Sequence, residues 1–254
     1  MTKRKNIDID EVVATVERLR RRIDDRFPDS GLGGVCASVL TVSQAAKASC
    51  RKISAPIVWV RILVILLIGF IISSLVVLVV TYRSTTGEWL LEDLITTLEA
   101  GLNIVVFVGV VILFLVGIEA RLKRRRALRA IHELRALAHI VDMHQLTKDP
   151  DHFGGEGFDT ASSPARNLTS FQLNRYLDYS SEMLALIGKI AAIYAQHFDD
   201  AVAIAAVNEI ETLTTGLSRK IWQKIVVLGR GEAPVRPLPS ATPARESTEA
   251  PPAG

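Results

Sequence analysis

Two long apolar stretches limit what this chain can fold into. The first, residues 57–82 (IVWVRILVILLIGFIISSLVVLVVTY), carries one charged side chain, Arg61, and the second, residues 100–118, carries none. A helix needs roughly 20 residues to cross about 30 Å of hydrocarbon, so each stretch is long enough to span a bilayer. Buried core helices are the alternative, whereas barrel strands would need an alternation that is absent. The sequence therefore predicts transmembrane helices over 56–82 and 100–118, joined by a short outer loop over 83–99.

Basic residues cluster on one side of these two stretches. The connecting loop contains four acidic residues against Arg83 alone. Because cytoplasmic flanks retain Lys and Arg, we expect a multi-pass plasma-membrane protein with both termini in the cytoplasm. The predicted interface anchors are Lys47, Arg51, Lys52, Arg61, Arg121, Lys123, Arg124, Arg125 and Arg126. They would attract a bilayer with anionic head groups. The net charge of +3 comes largely from these residues and therefore does not indicate a nucleic-acid-binding surface.

The remaining sequence shows helical periodicity. Ile9, Val12, Val16, Leu19 and Ile23 form a coiled-coil-like seam capped by Asp8 or Asp10. Further amphipathic helices are predicted over about 120–147, 170–198 and 200–228, the third opened by a Thr169–Gln172 capping box and the fourth by Asp199 or Asp200. Residues 29–55 predict a loop followed by a short helix, and 83–99 a short interfacial helix with Trp89. The second span should continue into the cytoplasm as one rod.

These elements predict an all-α integral membrane protein. A two-helix transmembrane hairpin would join a cytoplasmic antiparallel helical bundle made of four helices. The predicted order is an N-terminal helix and linker (1–55), span (56–82), outer loop (83–99), span (100–118) and helical domain (119–228). The Pro-rich tail over 229–254 is predicted to be disordered.

Histidines in the segment IHELRALAHIVDMHQLTKDPDHF supply the candidate metal site. His132 and His139 are seven residues apart, two helical turns, which is too far for both to bind one ion. His139 with Asp142 is the closer pair, and it needs a third ligand such as His197 or Glu182. Alternatively, His132 and His139 make the helix pH-responsive, or the imidazoles serve only the bundle and its surface, with His144 facing water.

Other patterns indicate no cofactor. The loop beginning at Asp149 resembles a calcium loop, but it has Phe153 and Thr160 where oxygen ligands including a bidentate Glu belong. Cys36 and Cys50 match no zinc spacing and are predicted to be buried thiols without a disulfide. The small residues Gly69 and Ser73, with the glycines 101, 109 and 117, suit close pairing of the two spans or of neighbouring chains.

The function expected is that of a non-enzymatic, membrane-anchored helical scaffold, adaptor or sensor acting through protein–protein contacts. Its partner would be a second copy of the chain or another membrane or cytoplasmic protein, and no nucleic acid is implied. A subunit of an oligomeric channel or a transport accessory protein, with Asn103 among its polar lining, is the first alternative. A metal-binding membrane protein using His139 and Asp142 is the second.

Overall fold

The computed structural model describes residues 6–84, 91–148, 150 and 168–232. Within these ranges the regular structure is entirely helical, which confirms the all-α prediction. Six helices are present there: α1 (Ile9–Arg26), α2 (Gly31–Ser54), α3 (Val58–Ser84), α4 (Leu91–Leu146), α5 (Ser170–His197) and α6 (Ala201–Glu232). Two helical segments are long and apolar enough to cross a membrane, one ending in α3 and one in α4. Trp89, His152 and most of the calcium-like loop and of the tail lie outside the described residues.

Helix α1 forms where its seam predicts it. The Asp8 carboxylate caps it by accepting from the Asp10 backbone N–H (2.8 Å). The seam residues Val12, Val16, Leu19 and Ile23 are all buried. After Phe27, Asp29 adopts a left-handed backbone (φ 56°), and the chain turns back as α2. Aspartate tolerates this conformation better than most residues because its short side chain can hydrogen-bond locally.

Helix α2 corrects the prediction of a loop and a short helix over 29–55. Its 24 residues begin at Gly31, directly after the N-cap Ser30, whose hydroxyl accepts from the Gly33 N–H (3.2 Å). Gly, Ser and Ala gave the segment a loop-like composition, but its apolar residues recur every three or four positions and are buried. They are Leu32, Val35, Cys36, Val39, Leu40, Val42, Ala46, Cys50 and Ile53. Packing of this face outweighs the weak intrinsic helix propensity.

Helix α4 is a single element of 56 residues. The continuation of the second apolar stretch into a rod is therefore confirmed, whereas the separate interfacial helix within 83–99 is not, since α4 is already continuous from Leu91. At about 1.5 Å per residue such a helix is roughly 84 Å long. We call α3 with residues 101–118 of α4 the apolar hairpin, and α1, α2, residues 119–146, α5 and α6 the bundle.

The bundle contains five helices, not the predicted four, because α2 packs as a full member. Helix α5 lies at its centre and contacts α1, α2, α4 and α6.

The predicted capping box opens α5: the Gln172 N–H donates to Thr169 Oγ1 (3.2 Å) and the Thr169 N–H to Gln172 Oε1 (2.9 Å). Tyr176, Tyr179 and Tyr194 are all buried in the core. Helix α6 extends to Glu232, so the first residues assigned to the tail are helical.

The apolar hairpin differs from the bundle in its surface. Val60, Val108 and Leu115 are buried, but most other large apolar side chains are exposed, with Phe107 at 71% and Leu113 at 73%. A Cβ placed on Gly69, Gly109 or Gly117 would meet nothing within 4 Å. These glycines therefore do not bring α3 and α4 of one chain together. Their predicted role between neighbouring chains stays a prediction.

Candidate hairpin–bundle junction

The ends of four helices meet beside the middle of α4, where the apolar hairpin joins the bundle. The last turn of α2 lies beside the end of α5, with the Ser54 hydroxyl donating to the His197 carbonyl (3.3 Å). The start of α3 contacts α4 at Glu119. The start of α6 contacts α4 at Arg124, about one turn further from the hairpin. The contact at the start of α3 and the continuous helix α4 join the apolar hairpin to the bundle.

Glu119 ties the two helices of the hairpin together at this end. Its Oε1 accepts from the Ile57 backbone N–H (3.2 Å), which has no partner within the helix because it lies at the start of α3. The same oxygen lies 2.9 Å from Lys123 Nζ, one turn along α4. The side chains of Glu119 and Lys123 are only 17% and 16% exposed, so both groups are largely shielded from water.

Arg124 and Asp200 tie α4 to α6. Arg124 Nε lies 3.0 and 2.9 Å from the two carboxylate oxygens, and Nη2 donates to Oδ2 at 2.7 Å. Asp200 also caps α6, since Oδ1 accepts from the Val202 and Ala203 N–H groups (both 3.1 Å). The predicted alternatives for this cap were Asp199 and Asp200, and the structure selects Asp200. One carboxylate thus holds the start of α6 onto the rod.

This contact also shifts the titration of both groups. The hydrogen bonds from Arg124 lower the pKa of Asp200 below its usual value, with smaller contributions from the α6 backbone N–H groups. The carboxylate in turn raises the pKa of Arg124. Asp200 therefore stays ionised well into the acidic range, and the Arg124–Asp200 pair keeps both charges near neutral pH.

The nine predicted anchors divide into two groups. Lys123 and Arg124 are held by Glu119 and Asp200, and Lys47 pairs with Asp10 of α1 (2.7 Å). The others are exposed and form no ion pair with a described residue: Arg51, Lys52, Arg61, Arg121, Arg125 and Arg126. Arg61 lies near enough to Glu119 to interact with it electrostatically. Whether these residues contact a bilayer stays a proposal.

The structure does not assemble the proposed metal ligands. His132 and His139 lie exposed on α4, and Asp142 accepts from Gln145 Nε2 (2.7 Å). Glu182 instead pairs with Arg22 of α1 (2.8 Å), and His197 lies at the end of α5 with Nδ1 2.9 Å from the Ile193 carbonyl. Within the described ranges no group of three or more His, Cys, Asp or Glu is arranged to hold a metal ion.

His144 does not face water as one interpretation assumed. It is half-buried, and its imidazole covers Gly31 at the start of α2 so closely that a Cβ there would lie 2.6 Å from Cε1. The Tyr176 hydroxyl donates to the His144 carbonyl (3.4 Å). Nearby, Lys224 Nζ of α6 donates to the carbonyl of Gln145 in the last turn of α4 and to that of Lys148 just beyond it. These residues close the end of the bundle remote from the hairpin.

The two cysteines are buried in α2, as predicted, and both are free thiols. Burial raises the pKa of Cys36 to about 12 and that of Cys50 to about 11. Thiols with such pKa values remain protonated near neutral pH and react slowly. They are core side chains, and they do not form a redox or metal centre.

Comparison of the chain with protein-family models, curated proteins and solved structures finds no match. The function of the chain is therefore inferred from the junction and from the surfaces on either side of it. Sequence reasoning missed the Glu119–Ile57 and Arg124–Asp200 contacts, because each joins segments far apart in the chain. The only local signal was an acidic residue at a helix start, which identified Asp200 as one of two possible caps.

Proposed function

We propose that the chain is a membrane-anchored helical scaffold or adaptor that acts through protein–protein contacts. The observation that carries this proposal is the continuity of α4, which runs from an exposed apolar segment into a packed helical bundle without a break. Side chains such as Leu113 and Phe114, more than half exposed, cost free energy in water and none in hydrocarbon. In this proposal the hairpin lies in lipid and holds the bundle at a fixed position beneath it.

The proposed orientation places the bundle in the cytoplasm. The end of the hairpin that joins the bundle carries the excess of Arg and Lys, whereas the connection between α3 and α4 is acidic in sequence. Cytoplasmic flanks of membrane helices are enriched in cations. Helices α1 and α6 both belong to the bundle, so both termini would lie on that side.

A protein partner is supported by apolar surface that the same bilayer cannot cover. Trp222, Val226 and Val227 are each more than 40% exposed near the end of α6. Lys224, which lies among these residues in α6, contacts the Gln145 carbonyl. At ~1.5 Å per residue, Gln145 lies about 40 Å along α4 from the end of the apolar stretch, so this part of α6 would lie far from the bilayer. Exposed apolar patches that contain aromatic groups and are rimmed by polar residues are typical of protein interfaces.

Site-specific photo-cross-linking in native membranes tests this proposal. A photoreactive amino acid at Trp222 should yield a discrete cross-linked species, identified by mass spectrometry as a second copy of this chain or as another protein. The matched control is the same group at Thr212, an exposed polar position on α6, which should yield none. A chain that stays in the soluble fraction, or forms no species specific to Trp222, would overturn the proposal.

A further inference from the structure

Pairing within the bundle removes several of the basic residues at the junction from further binding. Arg124 and Lys123 already contact carboxylates at 2.7 and 2.9 Å, and Lys47 contacts Asp10. Lys123 pairs with a residue of its own helix, whereas Lys47 and Arg124 each pair with a residue of another helix. The sequence alone could not show the two pairs between helices, so it did not distinguish those cations from the ones that remain available.

All the available anchors except Arg61, which interacts electrostatically with Glu119, form a collar around the end of the hairpin. We use this name for five exposed residues that form no ion pair with any described residue: Arg51 and Lys52 in the last turn of α2, and Arg121, Arg125 and Arg126 on α4. Arg121 and Arg125 are one helical turn apart and share a face. The carboxylates at this end are Glu119 and Asp200, both already engaged, and the exposed Asp199.

The collar lies at the depth of lipid head groups if the hairpin spans a bilayer. The apolar stretch of α4 ends at residue 118, which is taken as the edge of the hydrocarbon. At ~1.5 Å per residue, Arg121 lies about 5 Å beyond that edge and Arg125 about 10 Å beyond it. The polar layer on each side of a bilayer is roughly 5–7 Å thick. An arginine side chain is long enough to place its guanidinium in that layer from either position.

We propose that the collar binds the phosphates of anionic phospholipids in preference to zwitterionic ones. Guanidinium groups form bidentate hydrogen bonds with phosphate oxygens, and a net negative head group adds attraction that a zwitterionic one lacks. The proposal rests on the proposed membrane anchoring and adds lipid selectivity to it. Free inorganic phosphate and an acidic protein segment carry the same chemistry, and the experiment separates them from lipid.

Trp59 provides the reporter for this test. It lies in the first turn of α3, 54% exposed and two residues after Ile57, which is bonded to Glu119. Trp89 and Trp222 are replaced by Phe, so that the full chain carries Trp59 alone. The chain is reconstituted into vesicles that contain brominated phosphatidylglycerol or brominated phosphatidylcholine at equal mole fraction, and quenching of Trp59 fluorescence measures the lipid in contact with it.

Two triple variants with the same charge change are compared. The first replaces Arg121, Arg125 and Arg126 by Gln. The control replaces three exposed arginines of the bundle that lie further from the hairpin, Arg18, Arg21 and Arg219. The parent and the control should show a roughly fivefold preference for phosphatidylglycerol, which corresponds to about 1 kcal/mol. The preference should fall towards one in the collar variant, and in the parent it should weaken with added salt.

Further outcomes distinguish binding of anionic lipid from binding of free phosphate or of an acidic protein segment. They also distinguish a failure of lipid selectivity from a failure of membrane anchoring. Inorganic phosphate should weaken the preference no more than sodium chloride at equal ionic strength, since a stronger effect would assign the site to free phosphate. Lipid selectivity of the collar is overturned if the parent and the collar variant show an equal preference, or if the parent shows none. An acidic protein segment that occupies the collar would give one of these results. Failure of the parent to co-float with phosphatidylcholine vesicles would instead overturn the membrane anchoring itself.

Discussion

The Asp200 carboxylate at the junction performs two tasks that substitution can separate. Asn keeps an acceptor for the Val202 and Ala203 N–H groups but loses the charge that holds Arg124, whereas Ala loses both. Asn and Asp are about equally good N-caps, and replacing either by Ala costs about 1 kcal/mol. We therefore expect bundle stability to decrease from wild type to Asp200→Asn to Asp200→Ala, with about 1 kcal/mol between the two variants.

The buried thiols provide the assay for this difference. Cys36 is fully buried and Cys50 is 3% exposed, so a thiol reagent labels them only when the bundle opens. When reclosing is fast, the labelling rate follows the population of the open state. About 1 kcal/mol then corresponds to a roughly fivefold faster labelling in Asp200→Ala than in Asp200→Asn. The control is Asp199→Ala, a substitution at the exposed neighbouring position, and its thiols should be labelled at the wild-type rate. Equal labelling rates in Asp200→Asn and Asp200→Ala would refute the role of Asp200 as the cap of α6.

The same pair predicts a pH dependence. Because Arg124 lowers the pKa of Asp200 in the folded chain, the ionised carboxylate stabilises the fold fully above the unfolded pKa of about 3.9. That contribution is lost as the pH falls through the lower pKa of the folded state. The advantage of wild type over Asp200→Asn in thermal unfolding, followed by circular dichroism in detergent, should be constant from pH 7 to 5 and shrink below about pH 4. An advantage that grew on acidification would contradict the assignment.

Three further outcomes are expected. Gly34→Ala should stabilise the bundle by ~0.5–1 kcal/mol, since its Cβ meets open space, whereas Gly31→Ala should stabilise it less, since the His144 ring must shift to make room. In chemical denaturation, His144→Ala should remove that difference between the two glycine variants. Metal analysis of the purified chain should find no stoichiometric ion, and one that disappeared in His139→Ala would restore the metal-binding hypothesis. Reconstituted vesicles should show no ion flux above protein-free vesicles, and flux abolished by Asn103→Leu would favour the channel alternative.

Local patterns were sufficient for most of the helices. The seam from Val12 to Ile23 and the Thr169–Gln172 box depend on residues a few positions apart, so spacing alone predicts them. The continuity of α4 followed in the same way from a long run without Gly or Pro between residues 118 and 149. Burial of Cys36 and Cys50 also agreed with prediction, because isolated thiols are among the side chains most often found in cores.

Helix α2 shows where local patterns were insufficient. Its composition favours loop structure, and it is helical because its small residues let α1 approach closely. The buried apolar face of α2 also packs against α4 and α5, neighbours that come from distant parts of the chain. Tertiary packing therefore decided the state of this segment, and with it the change from four helices to five.

By itself, the sequence determined that the chain is helical, that two of its segments suit a membrane, and that their basic flanks lie at one end. Only the tertiary structure decided which of those cations remain free. Lys47 and Arg124 resemble Arg121 and Arg125 in the sequence, but the first two meet carboxylates of another helix and the other two meet none among the described residues. The physical reason is that a charge is balanced by what lies within a few ångströms of it, and folding determines those neighbours.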